Sequence, residues 1–295
     1  MYESLFWLLS RLGRPFGGIR PRRMTNWLAD KAFVGKLPTA EEFHWVHDRN
    51  GSELLLHPHY LIDREIIAFG TYDPQINDFI ARHVKPGMSC LDVGANIGVM
   101  TLNLASQVGP TGRVHSFEPV PHLSQRLQKH VERNRLTDIV RVHRLALSDR
   151  AGTVAIHVAD EGQPNQGMGS LVFADHVKVR NEIPIEAITL DEFVKRESID
   201  RIDFIKIDIQ GAEPLFFRGG SESLSRFKPD LLVEVSPIEL SGCGSSSRDL
   251  ICQISDLGYE LFEMTQTGRV GERIAIDNVP ENYSSNAVFG RARSA

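Results

Sequence analysis

"CLDVGANIGVM", Cys90–Met100, decides how the rest of the chain is read. An apolar run with the composition of a buried strand ends in Asp92, and Gly94, Asn96 and Gly98 follow within six residues. A strand that runs into a glycine turn and then into a helical pattern is the start of a βαβ unit. Glycine lets the backbone turn tightly and lets other groups come close. The helix after it begins with free N–H groups.

The pattern continues outward from this point. Gln75–Val84 has Ile76, Phe79, Ile80 and Val84 at helical spacing, and Pro86-Gly87 breaks it. Met88–Val93 reads as a strand and Ile97–Val108 as a helix. Arg113–Phe117 is a strand, Pro121–Asn134 a helix, and Ile139–Leu147 a third strand. Strand, helix, strand, helix, strand at this spacing predicts an α/β fold with a parallel sheet. Thr153–Val158 reads as a strand outside the alternation, and "EGQPNQGMGS" as a mobile loop. Further along come a helix at Leu190–Glu197, a buried strand at Ile202–Ile209 and a helix at Glu213–Arg226. They are followed by a strand at Asp230–Val235, a helix at Leu250–Leu257, a strand at Tyr259–Met264 and a final edge strand at Asn286–Arg291.

The length of 295 residues suits one large domain with an N-terminal extension. The boundaries read as an extension over 1–60 and a main domain over 61–292. A formal net charge of −5 argues against a nucleic-acid-binding surface. Three cysteines, Cys90, Cys243 and Cys252, without metal-ligand spacing, read as reduced thiols of a cytoplasmic protein. No stretch reaches the length of a membrane span. Leu5–Leu9 precedes Arg11, Arg14, Arg20, Arg22 and Arg23, the reverse of a secretory signal. That segment reads as a helix docked on the protein or a partner, with peripheral membrane contact as the second reading. His57-Pro-His59 resembles a metal pair but lacks nearby partners, and reads as an exposed loop.

In an open α/β sheet, ligands bind beyond the carboxyl ends of the strands. A dinucleotide fingerprint would be G-x-G-x-x-G. Here Asn96 takes the place of its second glycine and the third is displaced by one. Glu118, at the end of the next strand, suits a ribose clamp in either an NAD or an adenosyl site, since two carboxylate oxygens can accept from a diol. Asp92 separates the two: it is badly placed beside a pyrophosphate and well placed beside a cationic cofactor. The reading is therefore S-adenosylmethionine, with a nicotinamide-dependent oxidoreductase as the alternative and a non-catalytic cofactor-binding module as a third.

"LDVGANIGVMTL", "HSFEP", "LALSD", "ITLDEF" and "DFIKIDIQGAE", in that order, closely resemble the FkbM-type methyltransferases, a branch of the class I S-adenosylmethionine-dependent enzymes. The resemblance runs from about Gly70 to Pro237. It implies a Rossmann-like class I methyltransferase fold, a seven-stranded, mostly parallel sheet with helices on both faces. It implies O-methylation of a hydroxyl on a sugar, glycan, glycolipid or secondary metabolite. Gly94, Asn96 and Gly98 match the family's cofactor loop, Glu118 its ribose-binding acid, and Ser148 and Asp149 the segment beside adenine. One departure stands out: Gln210 occupies a position where the family pattern leads us to expect Glu.

Lys206 and Asp208 are the candidate catalytic residues. They share one face of a strand, and charges in an apolar run are costly unless paired or in use. Asp208, Glu213 and Glu234 also offer oxygens for a divalent cation, a reading that is not favoured because their spacing is not diagnostic.

Overall fold

The computed structural model describes residues 31, 42–158 and 181–291. Among these, residues up to 74 form one compact unit and the remainder a second.

In the first unit, β1 (His44–His47) pairs antiparallel with β2 (Glu53–Leu56), Val46 opposite Leu54. Asp48 closes the hairpin: its Oδ1 accepts from the N–H groups of Asn50 (2.8 Å) and Ser52 (2.9 Å). Helix α1 (Leu61–Phe69) ends at Gly70, whose φ of 76° and N–H bond to Ile66 form a left-handed cap. His57 and His59 are buried, against the expectation of an exposed loop. The His57 N–H donates to Asp63 (2.9 Å) and the His59 N–H to His57 Nδ1 (3.1 Å), so local polar partners make burial tolerable.

The second unit begins at Gln75, within α2 (Pro74–His83), and enters the alternation: β3 (Ser89–Val93), α3 (Val99–Val108), β4 (Arg113–Phe117), α4 (Pro121–Arg133), β5 (Val140–His143). The short β6 (Ala146–Leu147), β7 (Gly152–Val158) and β8 (Asn181–Ile188) form a separate three-stranded sheet in the order β6-β8-β7. Then come α5 (Leu190–Arg196), β9 (Phe204–Ile207), α6 (Glu213–Gly219), α7 (Ser221–Phe227) and β10 (Asp230–Val235). The described chain ends with α8 (Pro237–Gly242), α9 (Ser247–Asp256), β11 (Tyr259–Met264), β12 (Val270–Ile274) and β13 (Ser285–Arg291).

The main sheet has the order β12-β11-β13-β10-β9-β3-β4-β5. From β10 to β5 all neighbours are parallel. β13 runs antiparallel between β10 and β11. The expected seven strands, six in one direction and the last reversed, are therefore present, and β12 adds an eighth, antiparallel to β11. Leu91, Val93, Ile205, Ile207, Leu231 and Val233 point to one face, where they join Phe193, Phe216, Phe217, Leu224 and Ile251 from α5, α6, α7 and α9 in a single core. The other face meets α2, through Phe79 against Phe204, and α3, through Thr101 against Asp92. The result is the Rossmann-like arrangement, with helices on both faces.

Several expectations change. The run Ile139–Leu147 splits, its second half leaving for the small sheet. The helix expected over Glu213–Arg226 breaks into two at Gly220. Asn286–Arg291 is an interior strand rather than an edge, with Ala287, Val288 and Phe289 all buried. The glycine-rich 161–170 stretch and the arginine-rich N-terminus lie outside the described residues. No helix among the described residues is long and apolar enough to cross a membrane.

Candidate functional site

β3 leads on through α3 to β4 and β5 on one side; the chain later returns to lay β9 and β10 on the other. The strand order therefore reverses between β3 and β9, and their carboxyl ends frame the crevice where open α/β sheets bind ligands. Val93 and Ile207 are register partners there.

Both strands leave the sheet through left-handed backbone. After β3 these residues are Gly94 (φ 79°), Asn96 (φ 51°) and Gly98 (φ 92°); after β9 they are Gln210 (φ 54°) and Gly211 (φ 95°). The glycines answer first to the protein itself. A Cβ on Gly94 would lie 1.8 Å from the Asp208 carbonyl oxygen, and one on Gly98 would lie 2.2 Å from Leu127 Cδ1 of α4. The loop is pinned between β4 and β9: the N–H groups of Gly94 and Ala95 donate to Phe117 O at 3.1 and 2.9 Å.

Asp92 and Lys206 are register partners on adjacent strands, and neither side chain has appreciable exposure. Asp92 Oδ2 accepts from Thr101 Oγ1 at 2.6 Å, while Oδ1 has no hydrogen bond and faces Lys206 Nζ at 3.6 Å. Lys206 Nζ donates to Gly94 O (3.1 Å) and lies 3.3 Å from Asp208 Oδ2. Burial works against the ammonium charge, but Asp208 and then Asp92 outweigh it and hold the lysine above its ordinary range. Lys206 is thus a fixed cation. Burial also opposes the charge on Asp208, and Lys206 reverses that and holds its carboxyl below the usual range.

Glu118 is almost fully buried. Its Oε2 accepts from the Asn96 N–H (2.8 Å) and its Oε1 from the Val120 N–H (2.9 Å), so it ties the glycine loop to the end of β4. Burial pushes its carboxyl up to about 7, although the two N–H groups favour the charge. Each oxygen keeps a lone pair beyond these bonds. Ser148 and Asp149 lie along α6: a Cβ on Gly219 would meet Ser148 O at 2.0 Å, and Asp149 pairs with Arg218 at 3.5 Å. Asp92, Gly94, Lys206 and Asp208 are therefore joined by direct contacts, Asn96 and Glu118 form a second linked pair, and Ser148 and Asp149 a third group.

Two acids complete the rim. Glu213 Oε1 accepts from the Ile209 N–H at 2.9 Å, and burial pushes Glu213 up to about 7. Glu234 is pushed up to about 10, by Asp208 first and by burial second. Gln210 Nε2 donates to Asp208 Oδ1 (2.8 Å) and to Glu234 Oε2 (2.9 Å). An amide thus fills the space between these two carboxyl groups, and among the described residues no group of three or more His, Cys, Asp or Glu is arranged to hold a metal ion. The sequence marked the acids by type and position. The Thr101 bond to Asp92 and the Gln210 bridge were missed, because both depend on which strands become neighbours.

The family model described as the methyltransferase FkbM domain matches residues 92–261. A 2-O-methyltransferase, NoeI of Sinorhizobium fredii, is 28% identical over 152 residues, covering 48% of this chain. Protein-L-isoaspartate O-methyltransferase 1 of Arabidopsis thaliana is 32% identical over 84 residues, covering 28% of this chain. The chain spans 61% of the first relative's length and 33% of the second's. Among solved structures, the FkbM methyltransferase of Methylobacillus flagellatus is 20% identical with a TM-score of 0.43, covering 69% of this chain and 43% of that one. An O-methyltransferase of Bacillus cereus, in complex with SAH, is 18% identical with a TM-score of 0.36, covering 56% and 58%. Since the family match takes in more than half of its residues, the chain belongs to the FkbM methyltransferase family.

Proposed function

We propose that this chain is an S-adenosylmethionine-dependent O-methyltransferase acting on a hydroxyl of a small molecule or glycan. The observation that carries the reading is the charge at the switch point: two carboxylates, Asp92 and Asp208, flank a single cation, Lys206, which leaves the cluster net negative. Such a rim suits a cationic ligand and repels a diphosphate, which disfavours the nicotinamide alternative. S-Adenosylmethionine, when bound, supplies a methyl carbon already activated by its sulfonium.

The chain's own residues then have these roles. Glu118 keeps lone pairs for a ribose diol while its bonds to Asn96 and Val120 fix its direction. Gly94, Asn96 and Gly98 shape the loop. Asp92 acts through Lys206, which stays charged and fixes Asp208. Ser148 and Asp149 form the adenine side, as the family pattern suggests. Asp208, whose side chain is 33% exposed, receives the proton that the acceptor hydroxyl gives up. Most of the rate comes from holding donor and acceptor in line. Residues 61–292 form the catalytic domain in this reading, and 1–60 an extension to it. The printed name of the NoeI relative, a 2-O-methyltransferase, supports a hydroxyl acceptor.

The test is to incubate the protein with methyl-labelled S-adenosylmethionine and a panel of hydroxylated sugars and oligosaccharides. Label in an ether product supports the reading. Tight cofactor binding with no transfer to any acceptor would favour the binding module instead.

A further inference from the structure

Two acids meet where β9 and β10 end. The strands are parallel, with Val233 beside Ile207, so Asp208 and Glu234 emerge next to each other. Gln210 Nε2 lies 2.8 Å from Asp208 Oδ1 and 2.9 Å from Glu234 Oε2, so one nitrogen bridges the two carboxyl groups. Two carboxylates held that close repel unless one of them carries a proton, and the charge of Asp208 pushes Glu234 up to about 10.

Gln210 completes the arrangement. An amide nitrogen has two N–H donors, and Gln210 aims one at each carboxyl group, at 2.8 and 2.9 Å. It does so from left-handed backbone, φ 54°, which costs a residue with a Cβ about 1–2 kcal/mol. Strain of this kind marks functional positions when the surroundings enforce it. The charges facing Glu234 are Lys206 of β9, Asp208 just beyond that strand, Glu213 at the start of α6 and Glu239 of α8, with Asp92 behind Lys206. Lys206 is the one cation in that set, and it is engaged by Asp208, Asp92 and Gly94 O.

We propose that Gln210 is a positioning residue for the methyl-transfer base: its amide clamps Asp208 and Glu234 into one pair that shares a single proton, leaving Asp208 to accept the hydroxyl proton of the substrate. This rests on the methyl-transfer reading and deepens it. The pair holds one proton before the reaction, on Glu234. It holds two afterwards, the second taken from the acceptor hydroxyl as its oxygen forms the new bond to the methyl carbon and the donor's carbon–sulfur bond breaks, its electron pair staying on the now neutral sulfur. Loss of one proton from Asp208 to water resets it. A glutamate at position 210 would add a third acid and no donor, so the pair would need a cation to hold it together. Glutamine makes the pair self-sufficient.

The test uses the full chain with 13C-labelled Glu and Asp carboxyl groups, followed by NMR across pH, the Glu234 signal being assigned by its loss in Glu234→Gln. Gln210→Gly removes the amide and tolerates the left-handed backbone, so it keeps the fold. In the unaltered protein the Glu234 signal is expected in its protonated position at neutral pH. In Gln210→Gly the carboxyl groups separate and its midpoint falls by about two pH units or more. S-Adenosylhomocysteine binding, read by calorimetry on both proteins, stays unchanged. With an acceptor from the panel, Gln210→Gly lowers kcat about tenfold or more at constant donor KM. Glu234 ionised at neutral pH, or a midpoint that ignores Gln210, would overturn the pair even if S-adenosylhomocysteine binds. Silent calorimetry alongside a protonated Glu234 would overturn the catalytic role through the reading on which it rests.

Discussion

Gly94→Ala tests whether the glycine loop exists for the ligand or for the neighbouring strand. The new Cβ would lie 1.8 Å from Asp208 O and 2.8 Å from Asp208 C, both backbone atoms that cannot swing aside. Relief requires β3 and β9 to part at the switch point. The left-handed backbone at φ 79° adds about 1–2 kcal/mol for any residue with a Cβ. Overpacking of a rigid site costs about 1–3 kcal/mol or more. The sum, about 2–5 kcal/mol, is a large part of the roughly 5–15 kcal/mol that holds a domain folded. Gly109→Ala is the internal control. Its backbone, φ 63° and ψ −169°, also disfavours a Cβ, by about 1–3 kcal/mol, but nothing lies within 4 Å of the added atom, so only the overpacking is missing from it. Urea unfolding of the two variants, compared at matched m-values, reads the difference directly. Because Gly94→Ala shifts the Asp208 backbone, its folded fraction should also bind S-adenosylhomocysteine more weakly, while Gly109→Ala binds normally. Equal losses of stability in the two variants would refute the reasoning, since they would mean that the backbone of β9 does not press on Gly94.

Lys206→Met leaves Asp92 and Asp208 without their shared cation, and breaking a buried pair from one side costs about 3–5 kcal/mol; a loss under about 1 kcal/mol in denaturant would show that Asp92 is not held by that charge. Glu213 titrates near 7 in the folded chain, above its ordinary 4.5, because of burial. A raised carboxyl favours folding below its unfolded pKa, and that contribution is lost as pH climbs through the folded one. Glu213→Gln should therefore match the unaltered protein near pH 4 and exceed it at pH 8, by at most about 3 kcal/mol from 1.36 kcal/mol per pH unit. The same difference at both pH values would rule this out. His115 and His143 face each other at 3.0 Å between ring nitrogens, and burial lowers both to about 4. Their contribution has the opposite sign: it is present above pH 6.5 and lost as pH falls toward 4. Replacing His115 with Gln should flatten the acid limb of a stability–pH profile, and an unchanged limb would exclude the pair as its cause.

The elements that the sequence announces most clearly are those whose neighbours are also close in sequence. β4, β10 and β11 begin and end at the residues expected from their apolar runs. β12 is harder to see because "VGERI" is polar and mostly exposed, with no apolar face to register. β8 carries Pro184 within "NEIPIEAI", a residue that argues against a strand. β13 was readable as a strand but not as an interior one, since its place between β10 and β11 is a long-range pairing that no local pattern records. The site divides in the same way. Asp92, Glu118, Lys206 and Asp208 announce themselves as charges in apolar surroundings. That Asp92 faces Lys206, that Thr101 bonds Asp92 and that Gln210 spans two carboxyl groups all follow from strand order. The glycines were visible as a turn, while the atoms that require them, Asp208 O and Leu127 Cδ1, come from elements far away in sequence.

The central claim is that the crevice at the end of β3 and β9 holds a cationic sulfur nucleoside and not a dinucleotide. Competition calorimetry with S-adenosylmethionine, S-adenosylhomocysteine and NAD tests it most directly. Glu118→Gln serves as the site variant, since it keeps one acceptor for the loop N–H groups and removes the charge. Saturable binding of both sulfur nucleosides, weakened in Glu118→Gln and undisturbed by excess NAD, is the expected result. Heat from NAD alone, or no heat from either sulfur nucleoside at millimolar concentration, would contradict it.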